Sequence, residues 1–252
     1  MGIMRRFQER VRNEGRLIAT MPHKDAAAGS APPAPTGLLA GGQLEALVSA
    51  SLAEDLAALK ALNSVERKEA MKRDTLIPKY RDYVERLRAA GSGHELLGYW
   101  LVWLFDAGML VEACEYAAWG LEKDLELPER FQSDIRFFIA AQVIEWAEKE
   151  FAAGRSPEPY LSDQYRRQTT EPEVWNLPDD LRARYHRLRG LMAEKDGNLA
   201  LAAAELQSAL DLGAKVKTAL AEVRKKLSLD QERSDGGTDA DGQKPACPPS
   251  EL

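Results

Sequence analysis

The side chains of this sequence that type and spacing best equip for chemistry are cations. From Lys60 to Lys79 the run KALNSVERKEAMKRDTLIPK carries Lys60, Arg67, Lys68, Lys72, Arg73 and Lys79, with Lys68 and Lys72 four residues apart and so on one helical face. Cations in such a row can face one strand of a duplex, neutralise its phosphates and release condensed counterions. Glu66, Glu69 and Asp74 interrupt the run, which leaves open a solvated face laced with intrahelical ion pairs. A second cluster, Arg182, Arg184, Arg187 and Arg189, alternates around Leu181, Tyr185 and Leu188 and has the same two readings. Near the start, Arg5, Arg6, Arg10, Arg12 and Arg16 lie among Phe7, Val11 and Ile18, a basic arm suited to folding against a partner.

Other chemistries lack their parts. The sequence has no Gly-Lys pair, so a phosphate loop has no place for its lysine. His23, His94 and His186 stand apart from one another and from Cys114 and Cys247, without the spacing of a zinc site; His186 reads as a packing residue and no metal site is expected. Nuclease chemistry needs clustered carboxylates around divalent ions beside a lysine or histidine. The one acid-x-Lys triplet, Glu66-Arg67-Lys68, has no Pro-Asp element upstream and reads as a solvated face, while Asp179, Asp180 and Glu194 would meet only by accident of folding. No catalytic residue can be named, and no cofactor is expected beyond Mg2+ in the case that nuclease activity is real.

These cations must be positioned by helices. Ala, Leu, Glu and Arg predominate, and no alternating β-branched or aromatic run appears, so the chain reads as all-α. Net charge is −6, and the ends differ in sign: residues 1–24 carry six Lys/Arg against Glu9 and Glu14, residues 228–252 six acids against Arg233 and Lys244. Nucleic-acid contact must therefore be local. Two distant cysteines suit a reducing compartment, and no secretory signal follows Arg5 and Arg6, so the chain reads as cytosolic. The longest apolar run, Leu96 to Phe105, is about half of what a membrane span needs and reads as a buried helix.

Four segments emerge from the pattern: a basic arm with a Pro/Gly-rich linker (1–42), a helical region with the basic helix (43–93), a helical-hairpin core (94–227) and an acidic tail expected to be disordered (228–252), like the arm. Leu44, Val48, Leu52, Leu56 and Leu59 make one apolar stripe, facing the core or a neighbouring subunit. A second helix opens at Asn63 or Ser64 and runs to about Thr75, before Pro78 forces a break or a restart. Tyr80, Tyr83, Val84 and Leu87 form the buried face of the next. Further breaks are expected at Gly108, Pro128, Gly154, Pro157 to Pro159, Pro172, Pro178, Gly197 and Gly213, the grammar of stacked antiparallel hairpins.

A repeat lies within the core. Arg189 to Leu210 places Gly190 and Ala193 on one helix, Gly197 at the turn, and Leu199, Ala202, Leu206, Ala209 and Leu210 on the next, a tetratricopeptide-like hairpin. A weaker copy runs from Leu101 to Leu121 around Gly108, with Leu101 where the first-helix glycine would be. Any compact helical hairpin also selects small residues at its crossing.

Taken in order, the lysine-rich helix, the Leu76-Ile77-Pro78 break, Trp100 to Gly108, Ala113 to Ala117 and the hairpin around Gly190 and Gly197 resemble the small terminase subunit family of temperate tailed phages, the GpM type, over about residues 44–227. The resemblance implies a DNA-packaging role in the host cell cytoplasm: recognising double-stranded phage DNA and bringing it to a large ATPase subunit, as a ring-shaped homo-oligomer. It also implies a link to the endonuclease subunit of terminase, although no family catalytic residue can be placed on a motif here. The acidic tail departs from the lysines and prolines that the family leads one to expect. Two rival functions are a tetratricopeptide-like scaffold binding only protein, through the acidic stretch from Glu112 to Asp134, and a metal-dependent endonuclease.

Overall fold

The computed structural model describes residues 41–131 and 133–235, and every regular element among them is helical. The chain divides between Leu44 and Glu45 into two units; of the first only residues 41–44 are described, and the buried cores belong to the described residues of the second. The basic arm, His23 and Cys247 lie outside the described residues. The elements are α1 (Gly41–Ala61), α2 (Val65–Met71), a π turn (Lys72–Leu76), α3 (Ile77–Ala89), α4 (Leu96–Asp106), α5 (Leu110–Glu122), α6 (Ile135–Ala152), α7 (Tyr160–Thr170), α8 (Pro172–Trp175), α9 (Asp179–Lys195), α10 (Leu199–Asp211) and α11 (Lys217–Asp235).

The stripe of α1 faces inward, with Val48, Leu52 and Leu59 no more than 4% exposed. Polar pins hold it there. Ser92 Oγ donates to Glu45 at 2.6 Å, and the Tyr80 hydroxyl reaches Asp55 at 2.6 Å and Ser51 at 3.1 Å. The Leu96 amide donates to His94 Nδ1 at 3.0 Å, so a neutral imidazole carries its proton on Nε2 and donates it to Ser49 Oγ at 2.8 Å. His94 thus ties the start of α4 to α1.

Pro78 does not break the helix. Its ring would crowd the carbonyl of residue 74, and its nitrogen has no hydrogen to donate. The chain instead widens into the π turn, where the Ile77 amide reaches the Lys72 carbonyl five residues back, and Met71, Leu76 and Ile77 all keep right-handed helical angles. The expected end at about Thr75 therefore lies inside one continuous helical path from Val65 to Ala89. Leu76, Ile77 and Tyr80, each at most 2% exposed, anchor the widened stretch in the core.

Helix α4 is the centre of this region. Leu96 through Leu104 are all buried, as nine consecutive positions can be only when neighbours surround the helix. It packs against α3, α5 and the π turn. The loop after α5 crosses at Gly98, where a Cβ would stand 2.5 Å from the Glu126 carbonyl oxygen and 2.9 Å from Pro128 Cδ. The Tyr80 and Trp103 rings meet at 5.7 Å and tie α3 to α4.

A second core gathers Ala140, Ile144, Leu161, Trp175, Leu181, Tyr185 and Leu188, with the Tyr185 hydroxyl donating to the Ala140 carbonyl at 2.7 Å. A third joins α9, α10 and α11 through Ala193, Ala202, Leu206, Ala209, Val216, Leu220 and Val223. The hairpin around Gly197 is present: Gly197 has φ +80°, and the Asn198 amide bonds back to the Ala193 carbonyl at 2.8 Å, a helix end that favours glycine. Gly108 ends α4 in the same way, with φ +73°. The other expected breaks also fall between helices or open one. The tail boundary moves, however: α11 continues to Asp235, past the expected end at Leu227, because Leu229, Gln231, Glu232 and Arg233 keep helix propensity without an apolar stripe. At the front, α1 includes Gly41 and Gly42, which the sequence pattern assigned to the linker.

His186 packs, as expected, but as part of a polar cluster. Glu205, 7% exposed, accepts from His186 Nδ1 at 2.7 Å and from Arg189 Nε at 3.0 Å, and the Arg189 guanidinium lies 3.9 Å from the Tyr165 ring centroid. Burial raises the Glu205 pKa, and the His186 and Arg189 contacts outweigh it and hold the carboxyl below its ordinary value. A carboxyl depressed in the folded state adds stability above its unfolded pKa, about 4.3, and loses it as pH falls through the folded value.

Both the cluster and the hairpin crossing can be tested by unfolding. Denaturant melts between pH 6 and pH 3 should lose stability with acid more steeply for the wild type than for Glu205→Gln; parallel curves would remove Glu205 from the account. Gly190→Ala, although alanine is the better helix former, should destabilise by about 1–3 kcal/mol through overpacking, because its Cβ would stand 2.8 Å from Leu206 Cγ in the hairpin crossing. A gain in stability would show that the crossing relaxes freely.

Candidate nucleic-acid interface

The basic segment is organised by a cap. The Ser64 side chain accepts from the Arg67 amide at 3.3 Å, starting α2 with Glu66 in its first turn and Lys68 in its last, an order the helix dipole favours. No residue of α2 is buried, so the helix presents its side chains to solvent or half-covers them.

The six cations divide. Lys60, at the end of α1, and Arg67 are exposed, Lys68 is half-buried, and none of the three has an ion pair among the described residues. Arg73 is exposed and only 3.6 Å from Asp74, its chain neighbour. Lys72 is different: its ammonium lies 2.5 Å from Asp106, and its side chain is 13% exposed. Lys79 meets Asp55 at 2.7 Å and lies 5.1 Å from the Tyr80 ring centroid. Asp55 thus binds a lysine and the Tyr80 hydroxyl at once; burial, then the hydrogen bond to Asp55, push the Tyr80 phenol well above its ordinary range. The fourfold spacing of Lys68 and Lys72 therefore does not make them equivalent. One is available to a polyanion, and the other fastens the π turn to the end of α4.

Neighbouring cations that the sequence pattern did not single out are stacked on aromatic rings. Arg81 forms a two-pronged contact with Glu112, at 2.5 and 3.2 Å, and its guanidinium sits 5.5 Å from the Trp100 ring. The hydrogen bond to Glu112 holds the Arg81 pKa above its ordinary value. Arg88 stands 4.9 and 4.4 Å from the Tyr116 and Trp119 rings. Aromatic residues one or two helices away were the only signal, and their partners were not legible.

The second arginine cluster is largely neutralised. Arg182 meets Asp179 at 3.0 Å, Arg184 grips Glu148 at 2.7 and 3.3 Å, and Arg189 is held by Glu205; Arg187 is exposed with no ion pair among the described residues. Asp179 and Glu194 are likewise spent separately, Glu194 on Lys226 at 2.6 Å. In the triplet Glu66-Arg67-Lys68 the first two side chains are exposed. Among the described residues no three His, Cys, Asp or Glu side chains gather as a metal would require. Burial pushes the Cys114 thiol up to about 12, so it is not a nucleophile near neutral pH. No helix among the described residues is long and apolar enough to cross a membrane.

Comparison with known proteins bears on what this surface meets. The model of the family described as phage small terminase subunit matches residues 49–180, which include α2, the π turn and α3. The chain is 31% identical over 180 residues to the terminase, endonuclease subunit of Escherichia phage P2, covering 70% of this chain and 71% of that protein. It is 28% identical over 145 residues to the probable terminase, endonuclease subunit of Haemophilus phage HP1, covering 57% of this chain but only 50% of that protein's length. No solved structure matches.

The division among the cations has a measurable consequence. Lys72→Ala should destabilise the protein by about 1–3 kcal/mol in denaturant unfolding, because it strands Asp106, whereas Lys68→Ala should change stability by less than about 0.5 kcal/mol. Equal effects of the two would mean that the pattern and not the pairing sorts these residues.

Proposed function

The chain belongs to the phage small terminase subunit family, and from that membership we propose that it recognises double-stranded phage DNA and delivers it to the large ATPase subunit for genome packaging. The observation that carries the DNA-binding half is the availability of Lys60, Arg67, Lys68 and Arg73. They cluster at the end of α1 and along α2 into the π turn, in a chain whose net charge is −6 and many of whose other cations are tied to carboxylates. A phosphate backbone needs only such displaced, accessible charge. Lys72 and Lys79 act as positioning residues: their pairs with Asp106 and Asp55 fix the helical path that displays the others. The arginines of the arm, Arg5, Arg6, Arg10 and Arg12, add to the same contact in this reading.

Phosphate contact positions a protein on DNA and does not choose the site. Choice of the packaging site then falls to groove contacts or to DNA bending around an assembled ring of subunits. The helical hairpins serve self-assembly and docking of the large subunit. Both relatives carry endonuclease in their names; for this chain we place cutting in the assembled terminase, since no catalytic residue can be assigned within it. Purified protein with Mg2+ and site-bearing DNA, without the large subunit, should leave that DNA intact; specific nicks would move the activity into this chain.

The DNA reading has its own test. With about four phosphates neutralised, the log of affinity should fall with log salt at a slope of roughly −3 to −4. Reversal of charge at Arg67, Lys68 and Arg73 together should flatten that slope by about 2–3 while circular dichroism stays unchanged. Purified protein that leaves packaging-site DNA unretarded at low ionic strength would leave the scaffold reading in its place.

A further inference from the structure

Helix α11 and the turn before it carry a group of cations that neither the sequence pattern nor the family match assigns, since that match ends at residue 180. Val216, Leu220 and Val223, at most 4% exposed, form its buried face against α10. Lys215, Lys217, Arg224 and Lys225 are all exposed; at about 100° per residue Lys217 and Arg224 lie to one side of that buried face and Lys225 opposite it, within about 100° of one another. None of the four has a carboxylate partner among the described residues; Arg224 donates to the neutral Gln207 Oε1 at 2.7 Å and keeps its charge uncompensated. Lys226 points elsewhere, to Glu194, which removes it from the group.

We propose that this face of α11 is a second contact for the phosphate backbone of duplex DNA, separate from the α2 surface. The inference rests on the reading that the protein binds DNA, and it adds a surface to that reading. Charge complementarity selects the occupant. Between the cations lie Thr218 and Ala221, with Ser228 just beyond, and Leu229, 48% exposed, is a lone large apolar side chain there rather than an anchoring cluster. Protein interfaces concentrate their affinity in buried aromatic and large apolar side chains, whereas a phosphate backbone asks for accessible positive charge and hydroxyl donors. From Lys217 to Lys225 the helix rises about 12 Å, a length over which a duplex strand presents three or four phosphates. A protein holding DNA through two separate surfaces grips it at two places, and each should weaken with salt independently.

The test uses the full chain and a fluorescent duplex carrying the packaging site, with anisotropy measured across a salt series. Three proteins are compared: wild type, Lys215→Glu/Lys217→Glu/Lys225→Glu, and Arg67→Glu/Lys68→Glu/Arg73→Glu. The α11 variant should lose about tenfold or more in affinity at low salt and flatten the log–log salt slope by about 2–3, whatever the α2 variant does. Lys215→Gln/Lys217→Gln/Lys225→Gln should show a smaller loss in the same direction, and it decides the matter if circular dichroism shows the glutamate variant misfolded. Wild-type affinity in the folded α11 variant overturns this inference and leaves the α2 reading standing. Loss on α11 alone, with the α2 variant unaffected, supports it and removes the α2 surface instead. A wild-type protein that ignores duplex overturns both, and one that binds polyglutamate through Lys215, Lys217 and Lys225 while ignoring duplex makes the face a protein-binding one.

Discussion

The burial of α4 from Leu96 to Leu104 is the constraint on which the rest of the front half depends. Nine consecutive covered residues, Leu96 to Leu104, leave no side for solvent, so α3, α5, the π turn and the loop after α5 must all close on it. At about 25 cal/mol per Å2, removing so much apolar surface from water is the dominant favourable term for this region. It also fixes the ends. Asp106, the last residue of α4, sits where Lys72 can reach it, and His94, just ahead of its start, is where Ser49 can. The polar pins are local consequences of an apolar decision.

Electrostatics then sorts the cations into two kinds. Some lie beside carboxylates that the fold brings near: Arg81 with Glu112, Arg184 with Glu148, Arg189 with Glu205, Lys72 with Asp106. These act on the fold, and their charge is largely cancelled at short range. Others, on α2 and on α11, meet no carboxylate at such distances and keep their field for whatever approaches. A protein of net negative charge can attract a polyanion only through such local surplus, and the field of each surplus reaches about a Debye length, near 8 Å at physiological salt.

Much of this was legible in the residues because the signals were local. Gly108 and Gly197 mark helix ends through a backbone conformation that glycine adopts freely, Ser64 through a side chain that reaches an amide three residues on, and the run Leu96 to Phe105 through its lack of any polar face. The π turn was not legible, since Pro78 argues locally for a break and only the burial of Leu76, Ile77 and Tyr80 keeps the helix going. The candidate site was half legible for a related reason. Lys68 and Lys72 look alike in the sequence, yet the partner of Lys72 lies 34 residues away, and that of Lys79 lies 24 residues away on the opposite side. The cations of α11 gave no comparable signal, because Glu222 and the acidic tail beside them balance their charge in the sequence, and only the fold shows which of them stay unpaired.

The π turn has one more consequence, concerning phase. An α-helix advances about 100° per residue, so accommodating one additional residue in a turn rotates everything beyond it by roughly a quarter revolution relative to everything before. Arg67 and Lys68 are thereby uncoupled from the azimuth that Tyr80, Val84 and Leu87 must adopt to reach the core. Deleting a single residue between Lys72 and Leu76 would shorten the chain only trivially, yet it would swing the basic prow around the axis and aim it at a different quarter of space.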